Sequence, residues 1–208
     1  MLRITLVRAP DLPDMPPHLA GLPDMCVALV SALGARADLR ARAGGRATEI
    51  DVVLCGARSC RRWDVGADAL GFHALSTRKR RDRRTGEAYF DINDRHQVFV
   101  NLATAPALLP DPADGGFRHD LAAWLVTVPH EVLHALEWIE ETGGLTADEL
   151  FLANPDEEWP IPMARALRAI EARTGGHEDK VEREARRIVD EEFCGLPPVG
   201  PGAPSTRK

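Results

Sequence analysis

Apolar and polar residues alternate at the start of the chain, with Leu2, Ile4 and Leu6 separated by Arg3 and Thr5. This period of two predicts a first strand within Met1–Pro10. After a proline-rich turn, Cys26, Val27, Val30, Leu33 and Ala37 recur at helical spacing, which predicts one helix from about Pro23 to Ala43, ended by Gly44-Gly45. The runs Glu49–Leu54, Tyr89–Ile92 and Gln97–Leu102 predict three more strands, bounded by Gly86, Asn93-Asp94 and Pro106. Helical periodicity returns from Leu121 to Ile139, interrupted at Pro129, which removes a donor and clashes with the preceding turn. Either Leu121–Thr127 is a separate segment and Thr127 caps a new helix, or one long helix is kinked there. Beyond Gly143-Gly144, helices are expected over Thr146–Ala153, Pro162–Arg173 and Glu178–Phe193, the last with an apolar stripe of Val181, Ala185, Ile188 and Val189. Strands gathered first and helices after predict an α+β domain over residues 1–196, in which a small mixed sheet backs the helix around residue 130. Residues 197–208, rich in Pro and Gly, read as a disordered tail.

Composition narrows the function classes. The 208 residues are 44% apolar and 28% charged, which suits one globular domain with a sizeable core. No run approaches the roughly 18 apolar residues of a membrane span, and Met1–Pro10 is too short for a secretory segment, so the expectation is a cytoplasmic protein with no membrane role. A net charge of −6 disfavours general nucleic-acid binding. The local exception is Arg78, Lys79, Arg80, Arg81, Arg83 and Arg84, which reads as a solvated loop closed by Thr85-Gly86, with contact to phosphate or an acidic partner as the alternative. Cys26, Cys55, Cys60 and Cys194 are expected to be free thiols, since no second close pair joins Cys55 and Cys60 in a thiolate metal site. Neither a glycine-rich phosphate loop nor a Gly-x-Ser-x-Gly elbow is present.

The chemistry is concentrated in His130-Glu131-Val132-Leu133-His134. Two imidazoles four residues apart on a helix project from one face, a turn apart along the axis, and both can ligate one metal ion. Glu131, beside the first histidine, is placed to act as general base on a metal-activated water.

At this His-Glu-x-x-His segment the chain resembles the zincin metallopeptidases. The resemblance implies a zincin-like fold, Zn2+ on His130 and His134, Glu131 as the catalytic base, and a sheet edge that aligns a peptide or protein substrate, for which Gln97–Leu102 is the candidate. The metzincin pattern places glycine and a ligand three and six residues after the second histidine, where this chain has Glu137 and Glu140. Glu140 would face away from the metal, and Glu137 suits a supporting or surface role. The gluzincin-like branch is favoured, with a later glutamate as third ligand. Glu157 and Glu158 are candidates by spacing. Glu182 and Glu184 lie where Val181-Glu182-Arg183-Glu184-Ala185 resembles the ligand segment of ImmA/IrrE-type metallopeptidases. His134-Ala135-x-x-Trp138 is also similar to SprT-type metallopeptidases, which would make His177 the ligand. His18, His73, His96 and His119 fit none of these patterns, although His119 could cap the helix or reach the site, and Tyr89 is the one tyrosine available as an electrophile.

Two functions follow. The first is a zinc-dependent metallopeptidase, and the alternative is a noncatalytic metal-binding module acting through the Arg78–Arg84 run. A purely structural site would have no need of Glu131, which favours the enzyme.

Overall fold

A computed structural model describes residues 2–44, 48–81, 88–109, 117–142, 172 and 177–196. The architecture is α+β, with one four-stranded mixed sheet in the order β1-β2-β4-β3 and helices packed mainly on one face. Strand β1 (Leu2–Arg8) pairs in parallel with β2 (Thr48–Cys55), and the connection contains α1 (Leu22–Ala35) and α2 (Ala37–Arg42). β2 in turn pairs in parallel with β4 (Ala88–Asn101), and β3 (Gly71–Arg81) lies antiparallel to β4 at the end of the sheet. After β2 comes the short α3 (Ala57–Arg62), and after β4 come α4 (Ala105–Leu108), α5 (Phe117–Leu125), α6 (Thr127–Thr142) and α7 (His177–Glu192).

Burial explains the layering. Ile50, Val52 and Leu54 of β2 and Val98 and Val100 of β4 form the floor of the main core, which α1, α5, α6 and α7 cover with Leu29, Leu33, Leu125, Val132, Leu136 and Ile188 among others. The opposite face holds a smaller cluster of Val53, Cys55, Cys60, Ala74 and Phe99 under α3. β2 is buried along nearly its whole length, as a strand paired on both sides and covered on both faces must be. The stripe Val181, Ala185, Ile188 and Val189 is the buried face of α7, as the periodicity predicts.

Several sequence expectations are corrected. The helix predicted over Pro23–Ala43 is two helices, because Arg36 takes an extended conformation (φ −66°, ψ 126°) between them. Its guanidinium pairs with Asp38, Glu191 and Glu192, tying the break to the end of α7. Tyr89–Ile92 and Gln97–Asn101 belong to one continuous strand, since pairing with β3 carries the ladder past Asn93-Asp94, and Leu102 opens the turn that follows. The basic run is no loop over Arg78–Arg81, which lie on β3. Strand β3 escaped the period-two reading because its sequence, Gly-Phe-His-Ala-Leu-Ser-Thr-Arg-Lys-Arg-Arg, carries too few alternating apolar residues. Pro17–Ala35 is long and apolar enough to cross a membrane by length and composition, contrary to the reading that no stretch comes close. Its Leu22, Met25, Cys26, Leu29, Val30 and Leu33 are buried in the main core. Cys26, Cys55 and Cys60 are free, as expected. The helix predicted over 146–153, that over 162–173 apart from residue 172, the tail 197–208, and the Glu157 and Glu158 candidates lie outside the described residues.

Candidate metal centre

Of the two alternatives at Pro129, the structure takes separate segments, although Thr127 is the first helical residue of α6 rather than its cap. α5 ends at Leu125, α6 begins at Thr127, and the His130 N–H donates to the Val126 carbonyl at 3.0 Å. Pro129 falls in the first turn of α6, where a missing N–H costs no intrahelical bond. Val128, Val132, Leu133, Leu136 and Ile139 are buried and fix the rotation of the helix. His130, Glu131 and His134 are left partly accessible.

His130 and His134 meet as the motif predicts, with their Nε2 atoms 3.1 Å apart. The third group is Glu178, whose Oε2 lies 3.6 Å from His130 Nε2 and 3.5 Å from His134 Nε2. The point equidistant from three atoms so spaced is about 2.0 Å from each, the length of zinc bonds to imidazole nitrogen and carboxylate oxygen. Two imidazoles and one carboxylate at this spacing could hold a divalent cation such as zinc, in donor chemistry as well as size.

Each ring has a carboxylate behind it. His134 Nδ1 contacts buried Glu137 Oε2 at 3.2 Å, which matches the supporting role expected for Glu137. A carboxylate there fixes the tautomer that leaves Nε2 free as a ligand. Buried His130 Nδ1 has no well-aligned hydrogen bond, and its nearest carboxylate oxygen is Glu182 Oε2 at 3.3 Å. The rings titrate in opposite directions. Burial and the neighbouring His134 lower the pKa of His130, only partly offset by Glu178 and Glu182. Burial alone would lower His134 too, but Glu137, Glu131 and Glu178 outweigh it and raise its pKa.

Glu131 lies under the start of β3. Burial raises its carboxyl pKa to about 7, partly countered by His134 and by a hydrogen bond from the His73 backbone N–H. Gly71 makes this approach possible. A Cβ there would stand 2.7 Å from Thr127 Cγ2, 2.9 Å from the Phe99 carbonyl and 3.0 Å from Glu131 Cγ. The loop leading into β3 is held by buried Asn101, whose amide donates to the Ala67 and Ala69 carbonyls at 2.9 and 3.0 Å.

The other predicted residues separate. Glu182 is beside His130, one turn beyond Glu178 on α7. Glu184 points to the rear of the site, 3.5 Å from Arg42, which also binds Glu140 at 2.7 Å. Glu140 is thus paired with Arg42 and not with the His130–His134 rings, as its helical angle predicts. His177 opens α7, but its side chain lies outside the described residues. His119 is exposed on α5 rather than capping α6. Tyr89 pairs with Arg80 in the ladder, seven residues along β3 from His73 and so about 24 Å away from the part that touches Glu131. It is corrected as an electrophile. Gln97–Leu102 is likewise no substrate edge, because β4 is paired on both sides over Gln97 to Val100, and among the described residues β3 forms the edge instead.

Sequence reasoning missed Glu178 and the pair His73 and His96. These two histidines occupy the sheet face under α6, with His73 Nε2 3.1 Å from His96 Nδ1 and the His73 ring 6.5 Å from Trp138. Burial lowers their pKa values to about 3 for His73, helped by the nearby His96 and His134, and to about 4 for His96. Histidines held neutral in the fold, but free to ionise near pH 6.5 when unfolded, contribute stability above pH 6.5 that is lost as pH falls towards 4. Going from pH 7.5 to 5, each is expected to cost the metal-free protein about 2 kcal/mol. Urea unfolding at both pH values, comparing the chain with its His73→Gln/His96→Gln variant, measures the difference. An equal acid loss in both proteins would show that the pair is not held neutral.

No protein-family model matches the chain, and no curated protein or solved structure is significantly similar to it.

Proposed function

We propose that the protein is a zinc-dependent metallopeptidase of zincin-like architecture. The observation that carries this reading is the convergence of His130 Nε2, His134 Nε2 and Glu178 Oε2 on one point at zinc-bond distance, beside a Glu131 carboxyl with its pKa raised to about 7. Zinc held there would polarise a peptide carbonyl and make a water acidic enough to attack near neutral pH.

The chain's own residues supply the rest. Glu131 accepts a proton as the water oxygen bonds to the carbonyl carbon, and passes it to the nitrogen as the C–N bond breaks, giving a carboxylate and an amine. Burial favours the protonated carboxyl and bound zinc would favour the carboxylate, so Glu131 is placed to take the proton and to return it. The His73 N–H holds the carboxyl in place, and Glu137 orients His134. The edge of β3, which begins over Glu131 and is unpaired among the described residues, is available to pair with an extended peptide.

The expected result is about one zinc per chain in protein purified without chelator, with cleavage of a denatured-protein peptide mixture that stops when the metal is stripped and returns with zinc. Mass spectrometry of the mixture reads new termini directly. Zinc at one per chain with no new termini would support the alternative, a noncatalytic metal-binding module. Absence of zinc binding would remove both.

A further inference from the structure

We infer that the free edge of β3 is a docking track for an extended, acidic segment of the polypeptide substrate, an inference that rests on the peptidase reading of the site. β3 ends the sheet order, so among the described residues only its β4 side is paired with another strand. Its first residues touch the site through Gly71 and the His73 N–H. Eight residues on from His73, about 27 Å along the strand, it ends at Arg81. A peptide added to this edge therefore runs from the catalytic glutamate into the basic run.

The charge is arranged to meet it. Arg78, Lys79, Arg80 and Arg81 are consecutive positions at the far end of the strand. An added strand in either register then runs beside consecutive basic positions. β2 pairs with β4 only from Arg95 onward, so the first half of β4 and its β3 partner extend past the sheet as a two-stranded ribbon. Between Leu75 and Arg95 the sequence has seven Arg or Lys and four Asp or Glu, a net of +3. Since the whole chain is −6, the remainder is −9. An acidic segment is disfavoured by the net charge of the rest of the chain and attracted to this stretch, which selects where it docks.

An acidic polypeptide fits better than a nucleic acid. The strand edge offers N–H and C=O groups in peptide register, and the ribbon leads to a site suited to amide hydrolysis. The predicted preference is for acidic side chains five to eight residues from the scissile bond, since Arg78 to Arg81 lie that far from His73.

The test is fluorescence anisotropy with the full-length Glu131→Gln protein, which cannot turn the probe over. The probes are labelled 14-residue peptides rich in Glu, Gln or Lys, the Glu peptide with alternate backbone N-methyl groups, and a 14-nucleotide oligothymidine. At low salt the Glu peptide is expected to bind at least tenfold tighter than the Gln peptide, to lose that margin in 0.5 M salt, and to lose binding on N-methylation. Lys79→Glu/Arg81→Glu should abolish the preference, and these positions oppose Phe90 and Ala88, so no like-charge pair is created across the hairpin. Arg78→Gln/Arg80→Gln, with folding checked by circular dichroism, tests the other two positions. An acidic preference that survives both pairs, equal binding of Glu and Gln peptides, tolerance of N-methylation, or tighter oligothymidine binding would each overturn the inference. Acidic preference in a protein that hydrolyses nothing would sink the peptidase reading and leave the track standing. Hydrolysis without acidic preference would do the reverse.

Discussion

Glu131→Gln is expected to lower peptide hydrolysis by about 1,000-fold or more while leaving zinc bound, because the glutamine keeps the shape and the acceptor for the His73 N–H but cannot take a proton. Glu131 is not among the three groups that converge, so the metal has no reason to leave. A second readout distinguishes this from damage to the fold. Burial raises the carboxyl pKa from an ordinary 4.5 to about 7, so the folded chain favours the protonated acid. That stability is fully present below pH 4.5 and is lost as pH rises through 7, which amounts to about 3 kcal/mol between those limits. Metal-free wild type should therefore weaken on going from pH 5 to 8 through this group, and the glutamine variant should not. The Glu131 carboxyl is thus a local cost to the metal-free fold near neutral pH. Equal hydrolysis by the two proteins would remove Glu131 from the mechanism. A variant that loses both zinc and activity would show only that the site had been disturbed.

How much of this was legible in the sequence depended on whether a local period carried the information. The His130–His134 pair was legible because four residues on a helix is a fixed geometry, and the apolar stripes of α6 and α7 announced themselves at the same spacing. β2 read well because a strand buried on both faces is an apolar run. β3 did not, since its residues answer to other demands: Gly71 to let it pass close to Glu131, His73 to meet His96, and four basic residues at its far end. The edge was accordingly placed on β4, whose better strand pattern is that of an interior strand. The His73–His96 contact joins residues 23 apart through a hairpin, and no local pattern encodes it. Glu178 was missed for a related reason. The apolar stripe gives the rotation of α7 but not its slide along α6, and Glu182 and Glu184 flank that stripe equally. A translation of one turn moves the ligand from Glu182 to Glu178, two acids four residues apart on the same side of the helix.

That one-turn ambiguity makes Glu178→Ala the decisive substitution for the metal centre. Its side chain is 71% exposed, in the first turn of α7, so truncation should change stability by no more than about 0.5 kcal/mol. Zinc affinity, measured by competition with a coloured chelator, should nevertheless fall by more than about 100-fold, because losing a ligand exceeds the 10- to 100-fold typical of losing a group behind one. Glu137→Ala and Glu182→Ala should fall within that lower range, since each carboxylate lies against the Nδ1 side of a ring rather than with the three convergent atoms. Glu184→Ala should leave affinity unchanged, because its carboxylate faces Arg42. The order Glu178, then Glu137 and Glu182, then Glu184 follows from distances alone, and it differs from the order the sequence suggests, in which Glu182 and Glu184 rank together. Should Glu182→Ala strip the zinc while Glu178→Ala keeps it, α7 would sit one turn further along, and Glu182 would take the ligand position with His130 and His134 unchanged.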